Sequence, residues 1–481
     1  MSAHHHDHDH DTGAQTLGDL VSVGIDIGSS TSHLMFSQLR VGYPSLQRRR
    51  PEILERRVLG RSPVVLTPFS EDWSIQAEPL KELLEESFRS AGIRREDIDT
   101  GAVIVTGEAA RRENARKIAE LFSDEAGRFV CATAGPRLEA VLAAHGSGAV
   151  SLSRERAWTL LNIDIGGGTT KVSLVIEGRI AGATTFNIGA RLIAFENDGR
   201  LVRLEKSGKP FLAEMNCSPA VGDRIGSDIL TPVASRMARL IFDLLAGEPP
   251  PWSDIMVMPP LLELPALDGI LFSGGVSEYI YERESAGFGD LGSLLGREVK
   301  KQAEERDFRI LNSGEGIRAT VIGASQYSMQ ISGETIFIPE SVTLPLHNLR
   351  VLIVQVSWDA PIDERAAGAV RNAVTSMDEE IRGTPFALVF TSPPFYGYGA
   401  AQDLARGIRR ALLALAPGER PRMLVFEQNI GRVVGEMLAA DLSIPCVDEI
   451  SLDELDFIDI GAKVDGEGYV PVVVKSLAFG V

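Results

Sequence analysis

Apolar positions along this chain fall into alternating short runs and helical repeats. The first run, Leu20 to Ile27, is nearly continuous and rich in β-branched residues, the pattern of a buried strand. A helical period follows at Ala77 to Ala91, a short apolar strand at Ala102 to Val105, and a second helical period at Ala109 to Leu121. Strands alternating with helices predict an α/β fold with a largely parallel sheet. A second series starts at Trp158 to Ile165 and continues through Lys171 to Ile176. After a turn at Gly178 it returns through Arg179 to Thr185, which predicts an antiparallel meander. A charged hairpin-like stretch at Asn197 to Lys209 and a helix at Asp228 to Leu245 come next. The segment Glu248 to Pro251 (EPPP) then breaks the pattern. From about residue 345 a third unit is expected. Its strands are Arg350 to Val356, Phe386 to Phe390 and Met423 to Phe426, with a helix over Ala400 to Leu415 and a last strand at Val470 to Lys475.

Length agrees with this division, since 481 residues suffice for about three domains. The net charge of −18 argues against a chain built to grip nucleic acid or an anionic membrane, although Arg48, Arg49 and Arg50 form a local basic cluster. No basic stretch followed by an apolar run marks a secretory signal. The most apolar segment, Met256 to Phe272, is broken by three prolines, Glu263 and Asp268, so no spanning helix is expected. Cys131, Cys217 and Cys446 are too few and too scattered for a disulfide framework or a zinc site, and a reducing, cytoplasmic setting is expected. Five of the eight histidines lie in the first ten residues. The others, His33, His145 and His347, are dispersed, and little histidine chemistry is expected in the body. Residues 1–16 read as a disordered His/Asp-rich tail, either a weak Ni²⁺ or Zn²⁺ binder or a solvated segment without fixed role.

Chemistry enters through an internal repeat. Residues 25–31 read IDIGSST and residues 163–169 read IDIGGGT, 138 residues apart, each at the head of a strand series. The apolar neighbours place each Asp at the end of a buried strand, where a carboxylate needs a cation or its hydration shell as partner. The small residues that follow, Gly28, Ser29 and Ser30 in one copy and Gly166, Gly167 and Gly168 in the other, let backbone N–H groups approach phosphate oxygens. Hydroxyls of Ser30, Thr31, Thr169 and Thr170 add donors. Two such hairpins facing each other would clamp a triphosphate, with Mg²⁺ held by Asp26 and Asp164 through waters. A third IDIG at residues 458–461 lacks the small-residue tail, is crowded by Asp453, Glu454 and Asp456, and reads as a structural turn before the last strand. GFGDLG at Gly287 to Gly292 matches a dinucleotide pattern, but no strand precedes it.

Three further segments complete an ordered set. They are GAVIVTGEAA (Gly101 to Ala110), GILFSGGVSEYI (Gly269 to Ile280) and IRATVIGASQYSM (Ile317 to Met329), in which Gly323 and Ala324 allow tight helix packing. In order, the five segments resemble the actin, sugar-kinase and heat-shock-chaperone ATPase superfamily. They stand as phosphate-1, connect-1, phosphate-2, adenosine (Ser273, Gly274, Gly275) and connect-2. The resemblance implies two ribonuclease-H-like domains closing on ATP about the connect segments. Expected boundaries are 17–155 for the first domain, with 317–345 returning to it, 156–316 for the second, and 346–481 for an appended C-terminal α/β unit.

Within that superfamily the chain resembles the ethanolamine ammonia-lyase reactivating factors, the EutA family. The likeness is carried by LVSVGIDIG (Leu20 to Gly28), TGEAARRENA (Thr106 to Ala115), NIDIGGGTTKVSL (Asn162 to Leu174), TTFNIGARLI (Thr184 to Ile193) and LFSGGVSEYI (Leu271 to Ile280), and by DFIDIGAKVDGEGYVPVVVKSL (Asp456 to Leu477) in the C-terminal unit. The resemblance implies a chaperone-like ATPase that uses ATP and Mg²⁺ to release damaged cobalamin from ethanolamine ammonia-lyase. The cobalamin belongs to that partner, and the C-terminal unit lies on the partner-binding side. Association with a bacterial microcompartment is compatible with it. Asp164 is the expected water-orienting or Mg²⁺-shell carboxylate and Asp26 its counterpart, with Glu108 a weaker candidate near the cleft. A small-molecule kinase of the same superfamily and a nucleotide-dependent assembly protein are the competing readings. The first lacks an identifiable substrate base; the second would be marked by polymerisation on adding ATP.

Overall fold

The computed structural model describes residues 15–28, 31–43, 52–70, 75–105, 130–133, 136–261, 264–314, 316–327, 329–332, 335–357, 361–375, 385–391, 397–450, 457–461 and 470–475. The first sheet is built on β1 (Gln15–Ile27), β2 (Thr31–Tyr43), β3 (Glu52–Arg61), β4 (Thr100–Val105) and β5 (Val130–Thr133). Its order is β3-β2-β1-β4-β5: the first three strands form an antiparallel meander, and β4 and β5 continue in parallel from β1. Helix α1 (Ala77–Ala91) puts Leu80, Leu84 and Phe88, spaced at four, on Val23, Ile25, Leu34 and Phe36 of this sheet.

After α2 (Pro136–Gly146) and α3 (Ala149–Arg156) the same plan repeats. The strands are β6 (Thr159–Ile165), β7 (Thr170–Ile176), β8 (Arg179–Phe186), β9 (Gly269–Ser273) and β10 (Ile310–Leu311). Their order is β8-β7-β6-β9-β10, again an antiparallel meander continued by parallel strands. The duplication expected from the two IDIG copies is therefore a duplication of topology, and these are the two expected ribonuclease-H-like sheets. Helix α4 (Ser227–Leu245) lays Leu230, Val233, Met237, Ile241 and Leu244 on the second sheet beside α5 (Gly292–Glu305).

Between the two sheets lie α2 and α6 (Ala319–Tyr327). Helix α2 leans on the second sheet, where Ser173 Oγ donates to Ala140 O at 2.9 Å. Helix α6 leans on the first, where Ser325 and Ser37 share a 3.1 Å hydrogen bond. The two helices approach so closely that a Cβ on Gly323 would stand 2.2 Å from Leu142 O and one on Gly146 1.8 Å from Ala319 O. The close packing expected of Gly323 is thus present. Its partner is α2. Of the segment Gly101 to Ala110, β4 is described, while residues 106–110, the helix expected at 109–121 and Glu108 lie outside the described residues.

A third sheet of seven strands follows. It is ordered β11-β17-β16-β12-β13-β14-β15, from β11 (Met329–Ile331), β12 (Leu346–Val354), β13 (Phe386–Phe390), β14 (Met423–Phe426), β15 (Cys446–Val447), β16 (Phe457–Ile460) and β17 (Pro471–Lys475). Strands β12 to β15 are parallel and carry α7 (Ile362–Thr375), α8 (Tyr398–Leu413) and α9 (Gly431–Leu438). Two expectations change here. Residues 329–331 pair with β17 in this sheet, so the return to the first domain ends with α6 rather than at residue 345. The third IDIG forms strand β16, paired on both sides with Asp459 buried, and is not a turn. At the other end β1 begins at Gln15, inside the segment read as tail. No helix of the described residues is long and apolar enough to cross a membrane.

Candidate functional site

The first two IDIG strands, β1 and β6, end in the same tight hairpin. Gly28 N–H donates to Thr31 O at 2.9 Å, and Gly166 N–H donates to Thr169 O at 3.0 Å. Gly28 and Thr31 of the first hairpin and Gly166 to Thr169 of the second line one chamber of about 60 Å³. Asp26, Gly28, Thr31, Asp164, Gly166, Gly167, Gly168, Thr169, Gly274 and Gly275 all line it, so most of the residues expected at the site are brought together. At Thr31, Gly166, Gly167, Gly275 and Ile317 the chamber adjoins a larger cavity of about 370 Å³. The larger cavity is walled by Tyr279, Phe288, Glu278, Arg283 and Asp290. Gly274, on the chamber wall, packs its backbone directly against β6. Its φ is +79°, and a Cβ there would meet Ile165 O at 2.5 Å.

Two expectations differ. Thr170 is fully buried and turns its hydroxyl away, donating to Ile188 O at 2.8 Å. Ser273 is also fully buried and lies behind the chamber wall, where Oγ donates to Asp164 Oδ1 at 2.8 Å. It therefore orients the carboxylate rather than facing a ligand. Ser29 and Ser30 lie outside the described residues.

Cross-strand register adds residues that the motif did not include. Asp26 stands opposite His33 on β2, and Asp164 stands opposite Lys171 on β7. Both His33 and Lys171 line the chamber, each seven residues after its aspartate. That shared offset was the available signal. It shows that the body does carry a histidine at its central site.

Lys171 Nζ lies 2.9 Å from Glu139 Oε2 on α2 and 3.5 Å from Asp164 Oδ2. Burial alone would pull this ammonium down, but the carboxylates of Glu139 and then Asp164 outweigh it and hold it above the ordinary lysine range. His33 is 2 % exposed, and neither ring nitrogen has a hydrogen-bond partner among the described residues. Burial, and then the nearby Arg318, lowers its pKa to about 3, so the ring is neutral.

Electrostatics in the larger cavity follow from burial too. Burial raises the Asp290 carboxyl above its usual range against the N–H of Gly292 and the Arg191 guanidinium, which is 3.3 Å away. Burial, then Asp290 and Glu284, pushes the Tyr279 hydroxyl up to about 12.

This arrangement suits a ligand with an oxyanionic end and a flat, partly apolar end. Backbone groups and hydroxyls surround the small chamber, while an aromatic and arginine wall surrounds the large cavity. The donor set also suits a hydrated divalent cation. Asp26 and Asp164 are 8 % and 2 % exposed, and among the described residues no three or more His, Cys, Asp or Glu side chains converge into a protein cage. Two carboxylates match an ion that keeps most of its waters, as Mg²⁺ does.

A family model described as ethanolamine utilisation protein EutA matches residues 18–480. An ethanolamine ammonia-lyase reactivase EutA of Salmonella typhimurium (strain LT2) is 34 % identical over 469 residues, covering 96 % of this chain and 98 % of that one. Its counterpart of Escherichia coli (strain K12) is 35 % identical over 470 residues with the same coverage. Among solved structures, the component A of (R)-2-hydroxyglutaryl-CoA dehydratase from Acidaminococcus fermentans aligns with a TM-score of 0.34 and 14 % identity. That alignment covers 64 % of this chain and 97 % of that one.

Proposed function

The chain belongs to the EutA family, and on that premise we propose that it is an ATP-dependent reactivase of ethanolamine ammonia-lyase, releasing damaged cobalamin so that intact adenosylcobalamin can rebind. The observation that carries the nucleotide part is the pair of aspartate hairpins facing one chamber that adjoins a larger cavity. The partner part rests on the name of the two curated relatives, which match nearly end to end.

The residues divide the work by position. Backbone groups at Gly166 to Thr169 and around Gly28 hold the phosphate chain, where short side chains allow contact. Asp26 and Asp164 would hold Mg²⁺ through its waters, and that ion supplies charge neutralisation at the phosphates. Asp164 orients the attacking water, and Ser273 Oγ at 2.8 Å keeps its carboxylate in place. Lys171 offsets negative charge beside Asp164. The larger cavity takes the nucleoside, with Gly275 and Tyr279 on its wall.

Movement follows from where the helices sit. Helix α2 pairs through Glu139 with Lys171 of the chamber wall, and α2 and α6 interlock between the two sheets. A change in the charge balance at Lys171 is thereby felt by the helix pair, which makes sheet-against-sheet motion the means by which nucleotide state reaches the lyase.

The deciding experiment blocks ethanolamine ammonia-lyase with cyanocobalamin and adds this protein, ATP, Mg²⁺ and adenosylcobalamin. Deamination of ethanolamine is then measured. Recovery that needs both this chain and ATP is expected. No recovery, or equal recovery without ATP, overturns the proposal.

A further inference from the structure

The chamber wall carries a polar side chain that no described residue partners. His33 is buried, both ring nitrogens lack a partner among the described residues, and the ring borders the same small chamber as Asp26, Asp164 and the two hairpins. A buried polar group without a partner destabilises the fold, whereas leucine at that position would carry no such cost. The matching position of the other half, Lys171, is already engaged by Glu139 and Asp164. At His33 the repeat instead presents a neutral ring with one donor and one acceptor. The chamber is small, at about 60 Å³, and is ringed by glycine backbone and threonine hydroxyl. What fits between the hairpins is a tetrahedral oxyanion.

We propose that His33 is a phosphate-binding residue, its imidazole N–H donating to an oxygen of the nucleotide's phosphate chain. This rests on the reading of the cleft as a nucleotide site. It also explains why a buried position of β2 carries histidine, since the stability lost in the empty protein is recovered when the phosphate arrives.

The test is calorimetric titration of the full chain with ATP and with ADP in the presence of Mg²⁺, for the wild type, His33→Gln and His33→Leu. His33→Leu should weaken binding about tenfold to a hundredfold, the worth of one hydrogen bond to a charged group. Its unfolding temperature without nucleotide should hold or rise. His33→Gln keeps an N–H donor and should stay within about threefold of the wild type. Equal ATP affinity in the wild type and His33→Leu, as expected if the ring faces only a buried water, overturns the proposal. A wild type that binds neither nucleotide overturns the nucleotide reading of the cleft instead. Should His33→Leu fail to fold, ¹⁵N-histidine NMR of the wild type decides: the His33 ring signals must move on adding ATP, and unmoved signals refute the contact.

Discussion

Lys171 on β7 and Glu139 on α2 meet as an ion pair, Nζ to Oε2 at 2.9 Å, with both side chains almost wholly buried. The pair ties the second IDIG hairpin to helix α2, and Asp164 completes it at 3.5 Å. Removing one partner of a buried pair leaves a charge in low dielectric, at a cost of about 3–5 kcal/mol. Lys171→Met, which leaves two carboxylates facing each other, should lose that much in urea unfolding. Glu139→Gln leaves Asp164 beside the ammonium and should lose only about 2 kcal/mol. The double variant Glu139→Leu/Lys171→Met should recover most of the loss; strictly additive losses would show that the two side chains act independently.

Asp164 and Ser273 give a graded pair of kinetic expectations. Asp164→Asn should abolish ATP turnover with the circular dichroism spectrum unchanged. Ser273→Ala removes the hydrogen bond to Asp164 together with the one that Oγ accepts from Asn162 Nδ2 at 3.2 Å, and should slow turnover about tenfold, with ATP affinity nearly unchanged. Wild-type turnover in Asp164→Asn would refute its assignment.

Close helix contact is tested at Gly323. A methyl there would strike Leu142 O, so Gly323→Ala should destabilise by about 1–3 kcal/mol, read as a lower melting temperature. Gly368 on α7 is the control. It has open space around it, and Gly368→Ala should instead gain about 0.5–1 kcal/mol. Equal responses at the two sites would mean that α2 and α6 do not interlock.

His145, at the end of α2, supplies a pH dependence. Burial first, then Arg56 and Arg154, lowers its pKa from 6.5 to about 4. The unfolded chain therefore binds the extra proton first as pH falls. Stability from this group is complete above about pH 6.5 and declines toward about pH 4, at most about 1.4 kcal/mol per pH unit. His145→Gln should flatten the melting-temperature profile over that window, and an unchanged slope would exclude His145 as its source.

Local pattern in the chain determined a good deal. Helix α1 runs over Ala77–Ala91 and β13 over Phe386–Phe390, the bounds that periodicity predicts, because apolar spacing reports directly on backbone state. The repeated IDIG likewise marked two equivalent hairpins, and ten of the expected site residues line one chamber. Register and packing decided the rest. Nothing local distinguishes Ser273, which turns to Asp164, from a hydroxyl facing a ligand. Nor does a local pattern reveal that Glu139, thirty-two residues before Lys171, is its counter-ion, or that the third IDIG is a paired strand. His33 and Lys171 acquire their roles from the strand opposite them. Which side chains share a site depends on contacts between segments far apart in sequence, and these exist only once the sheets and helices α2 and α6 have come together.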